Sequence, residues 1–350
     1  MTVKTELLTI DNFTPPSRTP WGGTKIRGHF KAAWDLPTSW ERVGESWEIS
    51  VEPSFPSRLA QSGRLLSEAI SDDPKAWLGE SVAHRFGGQT PLLVKLLDAA
   101  DNLSVQVHPE HGDPILEPGE SGKPEGWLVL DAEPGAGLYL GFKPGIGRAQ
   151  VQNCIETGGK LDELMNFVEV KVGDAFYIDA GMPHAIGRGV TLLEPQTITP
   201  GCRGVTYRFW DWNRRYDANG VLDPAGEPRP LHLERSLDVA TYRGKDEVSL
   251  ADEARFEPIR LPQEEWEFDR HVVIECPTFV TEAWSGSGQR SFQPFGTMLT
   301  LTCVRGQARL ESERGAVNIR RGQSAVVPAA EGEFTLYLYR GDIVMCRSVA

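Results

Sequence analysis

Glycine and proline punctuate this chain from end to end, and that restricts its fold more than any other feature. The 36 glycines and 25 prolines are spread through 350 residues instead of gathering in a linker. Between them lie short runs of alternating apolar and polar residues, the pattern of half-buried strands joined by turns. The segments 298–306, 307–312, 315–322, 323–330 and 333–341 make the C-terminal stretch almost wholly of this kind. Upstream, 91–99, 102–108, 126–132, 137–142, 167–178 and 189–196 read as strands. Helical periodicity is confined to 67–86, 146–167 (broken at Gly158 and Gly159) and 231–243. Evenly spaced short strands of this sort predict a mainly β chain of sandwich or jelly-roll type. The length allows two domains, and the acidic stretch 244–258 is the expected boundary. The segments 170–181 and 318–330 echo each other as strand, glycine turn, apolar strand, which suggests two related β domains.

Charge narrows the partners. The 36 basic and 49 acidic side chains give a formal net charge of −13. Nucleic acid and anionic membranes call for clustered Lys and Arg, so neither is expected as a partner. No apolar run approaches the roughly 18 residues of a membrane span. The N-terminal residues lack the apolar core of a signal peptide. Five scattered cysteines without a CxxC pair argue against a disulfide framework or an all-cysteine zinc site. A cytoplasmic protein is the expectation.

Of seven histidines, two have informative surroundings. Gln106 and His108 are two apart in an expected strand, so both side chains share one face. Glu125 follows in GKPEGW, just ahead of the next strand. His184 stands in GDAFYIDAGMPHAIG, where a strand ends in a glycine turn. Two imidazoles, a carboxylate and an amide oxygen suit zinc with positions left open, although other divalent metals fit the same donors. His111 lies three residues beyond His108, and Pro109 prevents one regular element from carrying both.

LSVQVHPE (103–110), GKPE (122–125), AFYIDAGMPHAIG (175–187) and TYRFWDWNR (206–214) resemble the signatures of class I mannose-6-phosphate isomerases, in their short bacterial form. WGGTK (21–25), GESWEIS (44–50), PLLVKLLDA (91–99) and LHLERSLDVA (231–240) agree. The resemblance runs in register over about 20–240 and belongs to the cupin superfamily. It implies two cupin (jelly-roll β-barrel) domains. Residues 1–250 would form the catalytic, metal-binding one, carrying the helical additions. Residues 251–350, whose only histidine is His271, would form a metal-free barrel.

The resemblance also implies an activity, interconversion of mannose 6-phosphate and fructose 6-phosphate through a cis-enediol. It implies one zinc ion per chain, held by Gln106, His108, Glu125 and His184. Arg208, Lys123 and Glu194 match catalytic positions. Lys95 and Ser104 match positions associated with the substrate phosphate, and Trp47 and Glu48 match residues near the sugar. A metal and a guanidinium beside Lys123 would lower its pKa toward a proton-shuttling role, leaving Arg208 to stabilise developing charge. Two departures from the family pattern bear on the site. Asp179 stands where proline is usual, close to the expected metal mouth. The segment 197–205 is about four residues longer than usual, which makes Arg203 a rival to Arg208. The alternatives are a cupin isomerase of another or unphosphorylated sugar and a non-catalytic sugar sensor. The partner is a small sugar phosphate, and the chain is a monomer or homodimer.

Overall fold

The computed structural model describes residues 3–36 and 38–349. The strands assemble chiefly into three antiparallel sheets. The first has six strands, running from edge to edge as Arg255–Phe256, Ala175–Ile178, Glu125–Ala132, Val190–Thr197, Leu92–Asp98 and Glu45–Ile49. The second has five, in the order Tyr207–Trp210, Val105–Val107, His184–Ile186, Gly137–Phe142 and Met165–Glu169. They pack face to face. Leu97, Trp127, Val129 and Leu192 of the first sheet share one core with Leu138, Leu140 and Ile186 of the second. The third sheet has eight strands, among them Phe279–Phe292, Leu299–Ser312 and Phe334–Ser348. It wraps its own core of Phe268, Trp284, Leu301, Leu336 and Ile343.

The mainly β reading holds, but several element boundaries differ. The expected helix 67–86 is three short ones, Leu66–Asp72, Pro74–Leu78 and Glu80–Arg85. Asp73 caps the second, its carboxylate accepting the Ala76 amide at 3.1 Å, and Pro74 occupies the first helical position. The expected helix 146–167 keeps only Arg148–Glu156, a 3-10 turn at Leu161–Leu164, and then a strand from Met165. The expected helix 231–243 shortens to Leu233–Val239. The single expected strand 167–178 is two, in different sheets, divided by a turn at Gly173 with φ +91°. Conversely, 298–306 and 307–312 join into one strand, Leu299–Ser312, bulged on either side of Arg305. All five cysteines are free. Among the described residues no helix is long and apolar enough to cross a membrane.

The two β regions are not separate bodies. Glu6–Leu7 pairs with Ser324–Val327 in the third sheet, although the chain then runs directly into the first region. Arg255–Phe256 still belongs to the six-stranded sheet, and Ile259–Arg260 is the first strand after the crossing. One core joins Ile49, Val94, Leu128 and Leu193 to Ile274, Phe279, Val326 and Val344. Gly126 shows how close the approach is. A Cβ there would lie 2.7 Å from the Ile274 side chain and 3.2 Å from the Phe279 ring. Strand alternation therefore turns residue 126 toward the C-terminal region and its neighbour Glu125 the opposite way.

Candidate active site

That opposite face opens on a cavity of about 430 Å³ at one end of the two facing sheets. Each sheet contributes one row of side chains. In the five-stranded sheet, Gln106 is directly opposite His184 on one side and Arg208 on the other. In the six-stranded sheet, Lys95 is opposite both Glu194 and Trp47, and Gln196 is opposite Glu125. Register alone thus sets imidazole, amide and guanidinium in a line facing a line of carboxylates and cations.

His108, Glu125 and His184 are buried, with one potential ligand atom from each lying within 4.8 Å of the others. The Nδ1–H of His108 donates to the Val205 carbonyl, and that of His184 to the Met182 carbonyl, each at 2.8 Å. These bonds fix the tautomers and leave both Nε2 lone pairs facing Glu125, 3.1 Å from Oε1 for His108 and 3.8 Å from Oε2 for His184. Burial, with Lys123 nearby, lowers the pKa of His108. Burial and His108 push His184 down to about 3. Both rings are therefore neutral, as metal ligation requires. Burial opposes the charge on Glu125, yet Lys123 and His108 hold its carboxyl well below the ordinary range. His108 Nε2 and Glu125 Oε2 are buried atoms without a hydrogen-bond partner. Two orphaned acceptors in one buried cluster fit a zinc ion. Gln106 Nε2 lies 3.3 Å from His184 Nε2, and turning that amide over would bring its oxygen to the same place.

Around this cluster, Lys123 Nζ lies 2.9 Å from Glu125 Oε1. Burial works against its ammonium, but Glu125, Glu194 and Glu45 outweigh burial and raise its pKa. Three carboxylates converge on this lysine, a contribution that sequence spacing did not reveal and that opposes the lowering expected from a metal and a guanidinium. Glu194 moves the other way. Burial and the Glu125 charge raise its pKa to about 8, and Trp127 Nε1–H donates to it at 3.1 Å. Lys95 lies 3.6 Å from Glu194 and over the Trp47 ring, 4.5 Å from its centroid. Trp47 in turn donates to Thr14 and Glu45. Ser104 is buried in the wall beside Gln106. Arg208 reaches the cavity, its Nη1 donating to the Pro230 carbonyl at 2.8 Å. Burial and neighbouring Arg229 lower its pKa to about 10.

Glu48 is a correction. Trp47 faces the cavity, and alternation sends Glu48 out of it, where Lys31 pairs with it at 2.8 Å. Ser46 and Ser324 donate to it at 2.6 and 2.8 Å. Both charged side chains are almost fully buried, at 1% and 3% exposure. Lys31→Met would leave the Glu48 carboxylate buried without its cation. We expect it to destabilise folding by about 3–5 kcal/mol in a urea melt, with the KM for substrate unchanged. A shifted KM without loss of stability would return Glu48 to the sugar site.

Asp179 is a second correction. It is exposed outside the cavity and accepts from the Tyr177 hydroxyl at 3.3 Å. The inserted segment forms the short strand Arg203–Gly204 at the cavity mouth, parallel to Glu120–Ser121. Arg203, with its side chain 70% exposed, pairs there with Glu120, whereas Arg208 stands in the metal row. His111 lies within hydrogen-bond distance of Ser121 and outside the ligand cluster, as expected. Sequence reasoning missed Glu45 and Gln196. Glu45 is two residues from Trp47 on the same face. Gln196 is two from Glu194 and donates to Glu125 at 2.6 Å. Period-two spacing from an assigned residue was the available signal for both. It also missed Arg18, Arg229, His232 and Arg235 in the cavity wall, which no local spacing connects to the metal residues.

Comparison with known proteins decides the family. Residues 16–123 match the family model described as phosphomannose isomerase type I, catalytic domain. Residues 269–348 match that of the mannose-6-phosphate isomerase cupin domain. The mannose-6-phosphate isomerase of Streptococcus mutans is 32% identical over 88% of this chain and 88% of its own. The chain belongs to the mannose-6-phosphate isomerase family. Within that family, the isomerase ManA of Bacillus subtilis is also 32% identical, over 93% of this chain and 94% of its own. A crystal structure of the mannose 6-phosphate isomerase from Bacillus subtilis superposes with a TM-score of 0.79 at 25% identity. That match covers 98% of this chain and 99% of the other. The likeness extends through the C-terminal sheet, the region that matches the cupin-domain model.

Proposed function

We propose that this protein is a zinc-dependent isomerase interconverting mannose 6-phosphate and fructose 6-phosphate. The observation that carries the reading is the neutral, tautomer-fixed His108–Glu125–His184 cluster, buried beside Gln106 at the wall of a cavity lined by seven lysines and arginines against four glutamates. A metal-binding pocket with excess positive charge in a chain of net charge −13 suits an anionic, oxygen-rich substrate.

The reaction moves one proton between C1 and C2 of the sugar and another between the oxygens they carry. Gln106, His108, Glu125 and His184 hold the metal. When bound, zinc supplies Lewis-acid stabilisation of the sugar oxygens. Glu194 carries the carbon-bound proton, because a carboxyl with a pKa of about 8 exchanges protons readily near neutral pH. Lys123 remains an ammonium and donates toward the oxygen on which negative charge develops. Arg208 stabilises that charge from the opposite sheet. Trp47 closes one side and orients Lys95 against Glu194, and Ser104 offers its hydroxyl to the sugar.

A coupled assay with mannose 6-phosphate tests this reading on untreated, chelator-stripped and zinc-restored protein. We expect activity to vanish on stripping and return with zinc. Fully zinc-loaded protein that leaves mannose 6-phosphate unchanged overturns the substrate assignment.

A further inference from the structure

Gln196 is fully buried, and no step of the reaction above uses it. It lies on the strand Val190–Thr197, directly opposite Glu125 on a neighbouring strand and two residues from Glu194 on its own. Period-two alternation puts Glu194 and Gln196 on one face, and register brings Glu125 beside them. A single amide nitrogen uses that placement. Gln196 Nε2 donates to Glu125 Oε1 at 2.6 Å and also to Glu194 Oε1. An amide nitrogen carries two hydrogens, so one goes to each carboxylate. Turned over, the amide would set its oxygen against two carboxylate oxygens, which fixes the orientation.

Stability does not account for a glutamine here. Its Oε1 is a buried acceptor without a donor, a cost that an apolar side chain of the same length would not carry. Neither carboxylate relies on Gln196 alone. Glu125 Oε1 also meets Lys123 at 2.9 Å and His108 at 3.1 Å. Glu194 Oε2 accepts from Trp127 at 3.1 Å, and Lys95 lies 3.6 Å from Glu194 Oε1. What Gln196 supplies is geometry. Two carboxylates in one buried site repel each other, and the Glu125 charge contributes to the raised pKa of Glu194. Among the described residues, no other side chain donates a hydrogen bond to both. Gln196 does not line the cavity, so any effect it has on the reaction passes through these two groups.

We propose that Gln196 is a positioning residue for the proton transfer, holding the proton-carrying carboxylate of Glu194 at a fixed separation from the metal-holding carboxylate of Glu125. The sugar is oriented at the cluster that Glu125 belongs to, and its carbon-bound proton passes to Glu194. The separation of the two carboxylates is therefore the separation of anchor and base. A misplacement of about 1 Å between reacting groups can cost about a hundredfold in rate, while the contacts that bind the substrate are left in place. An outer residue that orients a metal-holding carboxylate also affects how tightly the metal is held.

The proposal rests on the reading of the reaction above, and its test separates the two. Gln196→Met keeps the length of the side chain and removes both donors, and Gln196→Leu is a second apolar variant. Melting temperature and zinc affinity, the latter by competition with a chromogenic chelator, are measured on the parent and both variants. The kcat and KM for mannose 6-phosphate follow at full zinc occupancy. In Gln196→Met we expect a melting temperature at or above that of the parent, zinc bound about tenfold more weakly, and kcat lowered about 10–100-fold with KM nearly unchanged. A merely structural glutamine would lower the melting temperature and spare kcat, and that result overturns the proposal. So does zinc affinity equal to that of the parent, or a rise in KM with kcat intact. An inactive parent whose zinc affinity still falls in both variants overturns only the reading of the reaction.

Discussion

Glu125→Ala is expected to lose bound zinc and to lower kcat/KM for mannose 6-phosphate by about a thousandfold or more. Glu125 is the hub of the buried cluster. Its Oε1 meets Lys123, Gln196 and His108, and its Oε2 is the orphaned acceptor beside His184. Removing the carboxylate takes away a ligand and also leaves the Lys123 ammonium without its nearest counter-charge. A lysine held above its ordinary pKa partly by Glu125 would then repel a divalent cation. Glu125→Gln separates shape from charge. It fills the same space but cannot neutralise either cation, so it too should bind zinc weakly. Metal analysis after desalting, followed by assays at rising zinc, checks both variants. Zinc retained at one per chain, with activity within tenfold of the parent, would sink the assignment of Glu125 as a ligand.

The sequence exposed this cluster because strand periodicity and turn chemistry are local. Gln106 and His108 share a face by period two, and the glycine turn before His184 ends its strand whatever surrounds it. Whatever depends on packing between distant segments was not visible. Trp47 and Glu48 are neighbours in one motif, but only the bulge between Trp47 and Ile49 and the pairing with Lys31 settle which of them faces the cavity. The carboxylates around Lys123 were hidden for a related reason. Its neighbours Glu194 and Glu45 come from other strands, and both raise its pKa. The helix expected at 67–86 failed at Asp73 and Gly79, where a local cap and a φ of +80° interrupt an otherwise helical pattern. The wall of Arg229 and Arg235 is built by a hydrogen-bonded return of the chain onto Arg208, and no spacing in the sequence encodes that contact.

Arg208→Ala is expected to reduce kcat by about 10²–10³-fold at unchanged zinc content, the scale seen when one donor to a developing oxyanion is removed. Arg208 stands between two regions of the cavity, and its neighbours on either side define what it can do. On one side, register sets it opposite Gln106, next to the metal ligands. On the other, its backbone and Nη1 are tied to His232 and Pro230, which fixes the guanidinium instead of leaving it free to follow a ligand. A fixed cation beside the reacting carbons costs little reorganisation when charge develops. Arg208→Lys should recover only part of the loss, because an ammonium cannot donate to Pro230 and to a ligand with the geometry of the fork. Kinetics with inorganic phosphate as a competing anion check the role. Were Arg208→Ala to weaken phosphate inhibition tenfold and spare kcat, Arg208 would bind the anionic end of the substrate instead. Charge stabilisation at the sugar oxygens would then rest with Lys123 alone among the residues of this chain.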